Sequence, residues 1–307
     1  MTTLAEHLES YLRLRRALGH ELADAARLLP RFLAHLEATG ACCITVDDAL
    51  AWVTQPEAGP SSSVWRRRMT AVRGFARYMS GVDPANQVPP LGLVSFRRGW
   101  RQPYIYSEAD VTVLMAGVRE LVLTPLRSAT LVTMIGLLAV TGMRVGEAIA
   151  LSRADVDWAD GVITVRNTKF GKSREVPVDS TTVEALSGYA GLRNQIVPHP
   201  SSRTFFVSAK GTPVIYADFG KAFRDLVRAT GVGADSPRPP RVHDLRHAFA
   251  VQTLVRWHRE GEDVARLLPR LSTYLGHLAP GYTYWYLSAA PELLELAAAR
   301  LEKRSQP

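Results

Sequence analysis

Cysteine is nearly absent from this sequence, and its two copies, Cys42 and Cys43, are adjacent. Adjacent cysteines rarely bridge each other, and no CxxC pair accompanies them, which excludes a disulfide framework and a cysteine zinc site. Long apolar runs are also lacking, since the longest candidate, 131–140, has the length of a buried helix. The first residues do not form a signal peptide, so we expect a cytoplasmic protein.

Several catalytic signatures are missing as well. The sequence contains no HExxH zinc motif, no GxxxxGK[ST] nucleotide loop and no GxSxG nucleophile elbow. Its carboxylates show no spacing typical of a magnesium site. Phosphate chemistry would therefore take its charge stabilisation from arginines, and we expect neither a metal nor another cofactor.

Basic residues outnumber acidic ones, with 37 Lys and Arg against 29 Asp and Glu and a formal net charge of +8. This balance favours a polyanionic partner. Only five of the basic residues are lysines, so arginine supplies nearly all of the positive charge. A chain of 307 residues is too long for one small core, which predicts two domains.

The first 82 residues show the apolar periodicity of helices. Gly40 predicts a helix end, and Thr45 predicts a helix N-cap. The helix that starts at Ser63 carries arginines and no acid over 63–79, so it either lies along DNA phosphates or presents a solvated basic face. These arginines are Arg66, Arg67, Arg68, Arg73 and Arg77.

Residues 83–106 contain four prolines and a basic run, which predicts an interdomain linker. The arginines of this run, Arg97, Arg98 and Arg101, are suited to touch phosphates where the chain wraps around a duplex. The sequence thus divides into a helical domain at 1–82, the linker, and a second domain at 107–307.

The second domain is predicted to be mainly α with a small β-hairpin, an α+β architecture. Two β-branched runs, 162–166 and 175–178, flank a polar turn and predict the hairpin, while 204–207 is expected to form a third strand. Ser107, followed by acidic residues, predicts a helix start. Helices are expected from about 107 and at 126–140, 143–151, 216–230, 243–260, 264–275 and 291–303.

Polar residues at the ends of these elements form a candidate site. Arg144 follows a glycine break near a helix start, where backbone N–H groups favour anions. Pairing of Arg144 with Glu147 at the surface is an equal alternative. His243 and Arg246 open a helix behind a proline-rich loop and, being one turn apart, share a face.

A further group follows Gly276, which predicts a helix end with His277 exposed beside it. Tyr282, Tyr284 and Tyr286 come shortly afterwards. Clustered tyrosines are usually packing residues, but one exposed hydroxyl near two arginines and two histidines is suited to act as a nucleophile.

Five motifs therefore occur in order: Thr141-Gly142-Met143-Arg144-Val145-Gly146-Glu147, Lys169 in a β-turn, His243-x-x-Arg246, Leu275-Gly276-His277 and Tyr286. This set resembles the tyrosine recombinase (phage integrase) family, whose six catalytic positions are all filled with the expected residue type. The likeness covers about 107–300. The N-terminal helices are similar to the family's core-binding domain in pattern only.

The resemblance implies a metal-free and ATP-independent transesterification. Tyr286 would attack a DNA phosphate, form a 3′-phosphotyrosine and release a 5′-hydroxyl. Tyr286 is preferred over Tyr282 and Tyr284 because it stands nine residues after the last histidine of the set, as in the family. Arg144 and Arg246 would hold the non-bridging oxygens and stabilise the pentavalent transition state.

The resemblance also implies roles for the remaining members of the set. Lys169 would protonate the leaving 5′ oxygen, with Lys172 of the same turn as its competitor. His243 would manage the tyrosine proton, and His277 would hydrogen-bond a phosphate oxygen.

The partner implied by the resemblance is double-stranded DNA with specific recombination sites, bound at the nucleoid by four protomers, alone or with a related recombinase. Integration, excision or transposition of a mobile element is the expected role. The helix at 291–303 would pack on its own core or dock on a neighbouring protomer. Because the helices start close to Met1, we expect no arm-binding domain.

Several alternatives stay open at this point. They are a chromosome-dimer resolvase, a type IB-like topoisomerase and a non-catalytic DNA-binding regulator. A metal nuclease is a weaker alternative, because the sequence shows no ligand cluster.

Overall fold

The computed structural model describes residues 3–56, 63–94, 102–166 and 173–277, together with Gly281, Thr283, Tyr284 and Tyr286. Its internal contacts divide the chain into two compact units, Met1–Arg101 and Gln102–Pro307. Within the described residues, no helix is long and apolar enough to span a bilayer. The expected helix at 291–303, the turn residues Lys169 and Lys172, and the linker arginines Arg97, Arg98 and Arg101 lie outside the described residues.

The first unit packs helices α1 (Leu4–Ala17), α2 (Ala23–Thr39), α3 (Val46–Val53) and α4 (Ser63–Val82). Thr45 caps α3 by accepting a hydrogen bond from the Asp48 N–H, as predicted. Gly40 ends α2 in the left-handed conformation, which was also expected. The core of this unit includes a tilted pair formed by Phe32 and Trp52, whose ring centroids are 5.2 Å apart.

The second unit contains helices α5 (Glu108–Leu121), α6 (Pro125–Thr141), α7 (Val145–Ala150), α8 (Ser180–Ile196), α9 (Tyr216–Thr230), α10 (Asp244–Arg259) and α11 (Val264–Leu275). Helix α6 lies at the centre of this unit and contacts α5, α8 and α10. Its buried residues face several directions, which suits a helix enclosed by others. A capping box at Ser107 starts α5, as the sequence predicts.

The second unit also contains a small β-sheet. Its strands are β1 (Val156–Asp157), β2 (Val162–Val165) and β3 (Arg174–Pro177), antiparallel in the order β1-β2-β3. Val162 pairs with Pro177 and Val165 with Arg174, so the predicted hairpin is confirmed. The predicted fold class, mainly α with a small β-sheet, is also confirmed.

Three elements differ from the sequence-based expectation. The predicted strand at 204–207 is wrong, because this segment forms only two isolated bridges, Ser152 with Thr204 and Val207 with Pro213. Its successive buried residues, Phe205 and Phe206, fill the core without a ladder partner. Strand β1 and helix α8 were not predicted. Helix α8 has a sparse apolar stripe, since it buries only Leu186, Tyr189 and Arg193.

Candidate active site

The carboxyl end of α11 is the point where the predicted site residues meet. Gly276 ends the helix in the left-handed conformation, with φ +68°. Three successive carbonyl oxygens at this end accept hydrogen bonds from three different arginines. Cations are favourable here because the last carbonyls of a helix carry partial negative charge. The pairs are Arg174 Nε to Tyr274 O at 2.7 Å, Arg246 Nη2 to Leu275 O at 2.6 Å, and Arg144 Nη2 to Gly276 O at 3.2 Å.

Arg246 projects from α10 and is only 3% exposed. Its Nη1 donates to the carbonyl of Gly142, which ends α6, at 2.8 Å. Burial and the charge of Arg144 lower the pKa of Arg246 to about 10, so the guanidinium stays charged at neutral pH. Within the described residues Arg246 forms no ion pair, and a buried charge of this kind favours an anionic ligand.

Arg144 is the N-cap residue of α7 and is more accessible, with 38% of its side chain exposed. Its Nη1 donates to Glu147 Oε1 at 2.7 Å, and its backbone N–H donates to Glu147 Oε2 at 2.9 Å. Arg144 therefore pairs with Glu147, which is one of its two alternatives, and its charge also acts on Arg246. Burial disfavours the Glu147 carboxylate, but hydrogen bonds from Arg174 and Arg144 outweigh it and lower its pKa to about 2.

Tyr286 lies against this arginine cluster and is 3% exposed. Burial raises the pKa of its hydroxyl, while the neighbouring charges of Arg246 and Arg144 oppose that rise. Tyr284, by contrast, is 54% exposed. The two tyrosines therefore occupy different environments, and only Tyr286 stands beside the arginines. Tyr282 lies outside the described residues.

Histidine rings surround Tyr286. The ring centroid of His247 is 5.5 Å from that of Tyr286, and the His277 ring stacks on it at 6.1 Å. His243 completes the row, with its ring 4.9 Å from His247 at 88°. His247 was not among the predicted site residues, although its spacing of one helical turn from His243 was the available signal.

The surroundings lower the pKa of all three histidines, which favours the neutral imidazole. Burial and the charge of Arg246 lower the pKa of His277 to about 4, and its Nδ1 lies 2.8 Å from Thr283 Oγ1. Burial and His243 lower the pKa of His247 to about 4. Desolvation and the charge of Arg246 also lower the pKa of His243, although part of the surface of His243 is exposed. A neutral imidazole can accept a proton or a hydrogen bond.

These groups bring two guanidinium charges, a buried tyrosine hydroxyl and imidazole rings together, an arrangement that would suit an anionic ligand. Within the described residues, no group of three or more His, Cys, Asp or Glu side chains is placed to hold a metal ion. Arginine charge, a nucleophilic hydroxyl and an imidazole are the components of metal-independent phosphoryl transfer.

Comparison with known proteins agrees with this chemistry. The model of the phage integrase family matches residues 107–292. The integrase/recombinase y4rB of Sinorhizobium fredii is 42% identical, over 99% of this chain and 98% of the relative. The chain belongs to the phage integrase family.

Solved structures of tyrosine recombinases share the fold of this integrase-family chain. The match to the Tn1549 transposon integrase, in complex with transposon right end DNA, covers 98% of this chain and 99% of the integrase chain. Its TM-score is 0.67, and the sequences are 18% identical. The match to a lambda integrase tetramer bound to a Holliday junction covers 93% of this chain and 77% of the lambda integrase chain. Its TM-score is 0.60, and the sequences are 14% identical.

The arginines of α4 in the first unit separate into two groups. Arg66 and Arg77 are exposed and lie about three helical turns apart on one face. Arg68 is only 5% exposed, so the expectation that it contacts DNA does not fit its position. The other three arginines bond within the first unit: Arg67 Nε to Asp24 Oδ2 at 2.7 Å in an exposed pair, Arg68 Nη1 to Trp52 O at 3.3 Å, and Arg73 to the carbonyls of Pro89 and Pro90, each at 2.8 Å.

Arg174, like His247, was not among the predicted site residues. It lies on β3 and shares a strand face with Val176, which is fully buried. An arginine on the buried face of a strand requires an internal partner, and this pattern was the signal available in the sequence. Its partner is Glu147, whose carboxylate accepts hydrogen bonds from Arg174 Nη2 at 2.7 Å and Nη1 at 3.1 Å.

Proposed function

We propose that this chain is a site-specific DNA recombinase that cleaves and rejoins DNA through a 3′-phosphotyrosyl intermediate at Tyr286. The observation that carries the proposal is the position of Tyr286, a buried hydroxyl beside the charges of Arg246 and Arg144. A phosphate seated on these arginines would lie next to the nucleophile.

In the cleavage step the Tyr286 oxygen attacks the phosphorus, and the bond from phosphorus to the 5′ oxygen breaks. Arg144 and Arg246 hold the non-bridging oxygens as negative charge develops on them. His243 accepts the tyrosine proton, because a neutral imidazole is a competent base, and His277 hydrogen-bonds a phosphate oxygen. Attack on the phosphotyrosine by another 5′-hydroxyl reverses the step and joins a new strand.

We assign protonation of the leaving 5′ oxygen to Lys169, with Lys172 as the competitor. Both residues lie outside the described residues, so this role rests on the family resemblance. In the sequence both lysines stand between β2 and β3, the strand that carries Arg174.

DNA binding is assigned to both units. In the helical domain at 1–82, which lies within the first unit, Arg66 and Arg77 are suited to contact phosphates because both are exposed on one face of α4. The linker at 83–106 adds its three arginines, and the domain at 107–307 performs the chemistry. Assembly of four protomers on two duplexes at the nucleoid is proposed by analogy with the lambda integrase tetramer. The segment 291–303, which lies outside the described residues and for which the sequence predicts a helix, would couple neighbouring protomers.

The biological role proposed is the movement of a mobile element. The integrase/recombinase name of the relative in Sinorhizobium fredii and the transposon integrase among the solved structures both favour it. Sequencing the junctions of recombined DNA would separate this role from chromosome-dimer resolution.

The proposal is tested by trapping the covalent intermediate. The full chain is incubated with a library of nicked duplexes of randomised sequence, and DNA attached to denatured protein is recovered and sequenced. We expect a recurring sequence, attachment through Tyr286 on peptide mass spectrometry, and unchanged attachment in EDTA.

The control variants use the neighbouring tyrosine. Tyr286→Phe should abolish attachment and keep DNA binding, whereas Tyr284→Phe should retain attachment. Attachment by Tyr286→Phe would contradict the assignment of the nucleophile, and strict magnesium dependence would contradict the reaction class.

A further inference from the structure

Arg174 is bound to the site by three hydrogen bonds but does not belong to the set matched to the family. Only 10% of its side chain is exposed. Two of its nitrogens grip Glu147, and Nε donates to Tyr274 O at 2.7 Å on the last turn of α11. Gly276 packs directly on it, because a Cβ at that position would lie 3.0 Å from Arg174 Nη1. The guanidinium therefore has a single well-defined position.

Glu147 connects Arg174 to Arg144. Glu147 Oε1 accepts from Nη1 of both arginines, and Oε2 accepts from Arg174 Nη2 and from the backbone N–H of Arg144. The carboxylate is thus held between two guanidinium groups. Its plane is set by the bidentate contact with Arg174, and that plane sets the direction in which Arg144 points.

The charges of this trio determine what Arg144 can offer to DNA. A carboxylate paired with one arginine would cancel most of its positive charge. Because Glu147 has two arginine partners, the trio keeps a net charge of one positive unit, and the 38% exposure of Arg144 puts this charge at the accessible end. Arg174 thereby compensates the carboxylate that orients Arg144.

We propose that Arg174 is a positioning residue, which acts through Glu147 to orient Arg144 and to leave the charge of Arg144 available to the scissile phosphate. This inference rests on the proposed function. It predicts that Arg174 affects the cleavage step and contributes little to the binding of the duplex.

The test compares single and double variants on the duplex recovered by the covalent selection. Arg174→Gln should lower the rate of covalent attachment by about 100-fold with duplex affinity changed less than threefold. Arg174→Lys, which keeps the charge and loses the bidentate contact, should lie between wild type and Arg174→Gln.

The double variant Glu147→Gln, Arg174→Gln separates the compensation of the Glu147 charge by Arg174 from a purely structural role. Removing the carboxylate together with its compensating arginine restores the charge of Arg144, so the double variant should attach at least fivefold faster than Arg174→Gln alone. A structural role gives the opposite order, because loss of both partners damages the fold more than loss of one.

A substrate with a neutral methylphosphonate at the scissile position provides a second measurement. A neutral methylphosphonate needs less positive charge for its stabilisation than a phosphate does. The ratio of the attachment rates of wild type and Arg174→Gln should therefore be at least tenfold smaller on this substrate. The ratio for wild type and Arg144→Ala should shrink in the same way. Arg166→Gln is the matched control, since Arg166 directly follows β2 and pairs with Asp155 rather than with a residue of the site. It should stay within threefold of wild type on both substrates.

The outcomes distinguish the two proposals. Absence of attachment by the wild-type chain contradicts the proposed function. Attachment by wild type with unchanged rates in Arg174→Gln contradicts this inference alone. A double variant slower than Arg174→Gln, with an equal defect on the methylphosphonate, also contradicts it.

Discussion

Arginine is dense in α4 of the first unit and sparse along the chain around the candidate site, yet the sparse set is the one that converges. Arg66 and Arg77 are the most exposed arginines of α4, and the other three bond to residues of the first unit itself. Arg144, Arg174 and Arg246 come from three distant segments and donate to three successive carbonyls. Local density of charge is therefore a poor guide to the residues that handle an anion.

The physical difference lies in how each charge is compensated. In the first unit Arg67 meets the exposed carboxylate of Asp24, and solvent screens the pair. In the second unit Arg246 is buried against carbonyl dipoles, with no ion pair in the described part of the chain. A dipole stabilises a cation without cancelling its charge, so Arg246 remains able to bind phosphate.

The largest expected effect is on cleavage by Arg246→Ala. Loss of a buried charge at the transition state should reduce the rate of covalent attachment on the order of 1,000-fold. Arg256→Ala, an exposed position on the same helix, is the control and should stay within threefold. Circular dichroism would check that both variants fold. A rate in Arg246→Ala close to that of wild type would show that the phosphate is held elsewhere.

The next effect is acid destabilisation through Glu147. Its pKa is about 2 in the fold and 4.5 ordinarily, so the stability it contributes is present above pH 4.5 and is lost as the pH falls towards 2. This contribution is on the order of 3 kcal/mol. The difference in urea midpoint between wild type and Glu147→Gln should therefore be large at pH 7 and shrink below pH 4.5.

Asp24 in the first unit supplies the comparison for that experiment. The pKa of Asp24 is also lowered, chiefly by its hydrogen bond with Arg67, but the pair is open to solvent. Asp24→Asn should therefore change the urea midpoint little at any pH. An equal response of both variants would mean that burial does not distinguish the two carboxylates.

A smaller effect is expected on folding when Arg68 is replaced. Arg68→Met keeps much of the side-chain volume and removes the hydrogen bond to the Trp52 carbonyl and the stacking over the Trp52 ring, whose centroid is 5.2 Å from Arg68 Cζ. We expect a loss of about 2 kcal/mol in the free energy of unfolding. At a temperature where the variant is folded, its affinity for DNA should be unchanged. A loss of DNA affinity without unfolding would show that Arg68 contacts DNA.

The smallest effect concerns the exposed arginines of α4. Arg66→Gln and Arg77→Gln should each weaken DNA binding and reduce the slope of log affinity against log salt by about 1, without a change in thermal stability. Arg67→Gln is the comparison, because its guanidinium already pairs with Asp24. A slope reduced equally by Arg67→Gln would remove the division of α4 into two groups.

Much of the fold followed from local signals. Thr45, Ser107 and Gly40 supplied caps that the backbone uses as predicted, and the β-branched runs around 162–178 formed the hairpin. Helix α8 escaped prediction because few of its residues are apolar on one face. The strand predicted at 204–207 was wrong because consecutive buried aromatic residues fit the sequence pattern of a strand even where no neighbouring strand pairs with them.

For the site, the sequence by itself determined which residue types occur and in what order, and that order was sufficient for the family resemblance. Only the tertiary structure decided which arginines converge at the end of α11 and which bond within the first unit. It buried Tyr286, exposed Tyr284 and introduced Arg174 through Glu147. The reason is that the compensation of a charge depends on partners distant in sequence, and these are brought within hydrogen-bond reach only when the second unit packs around α6.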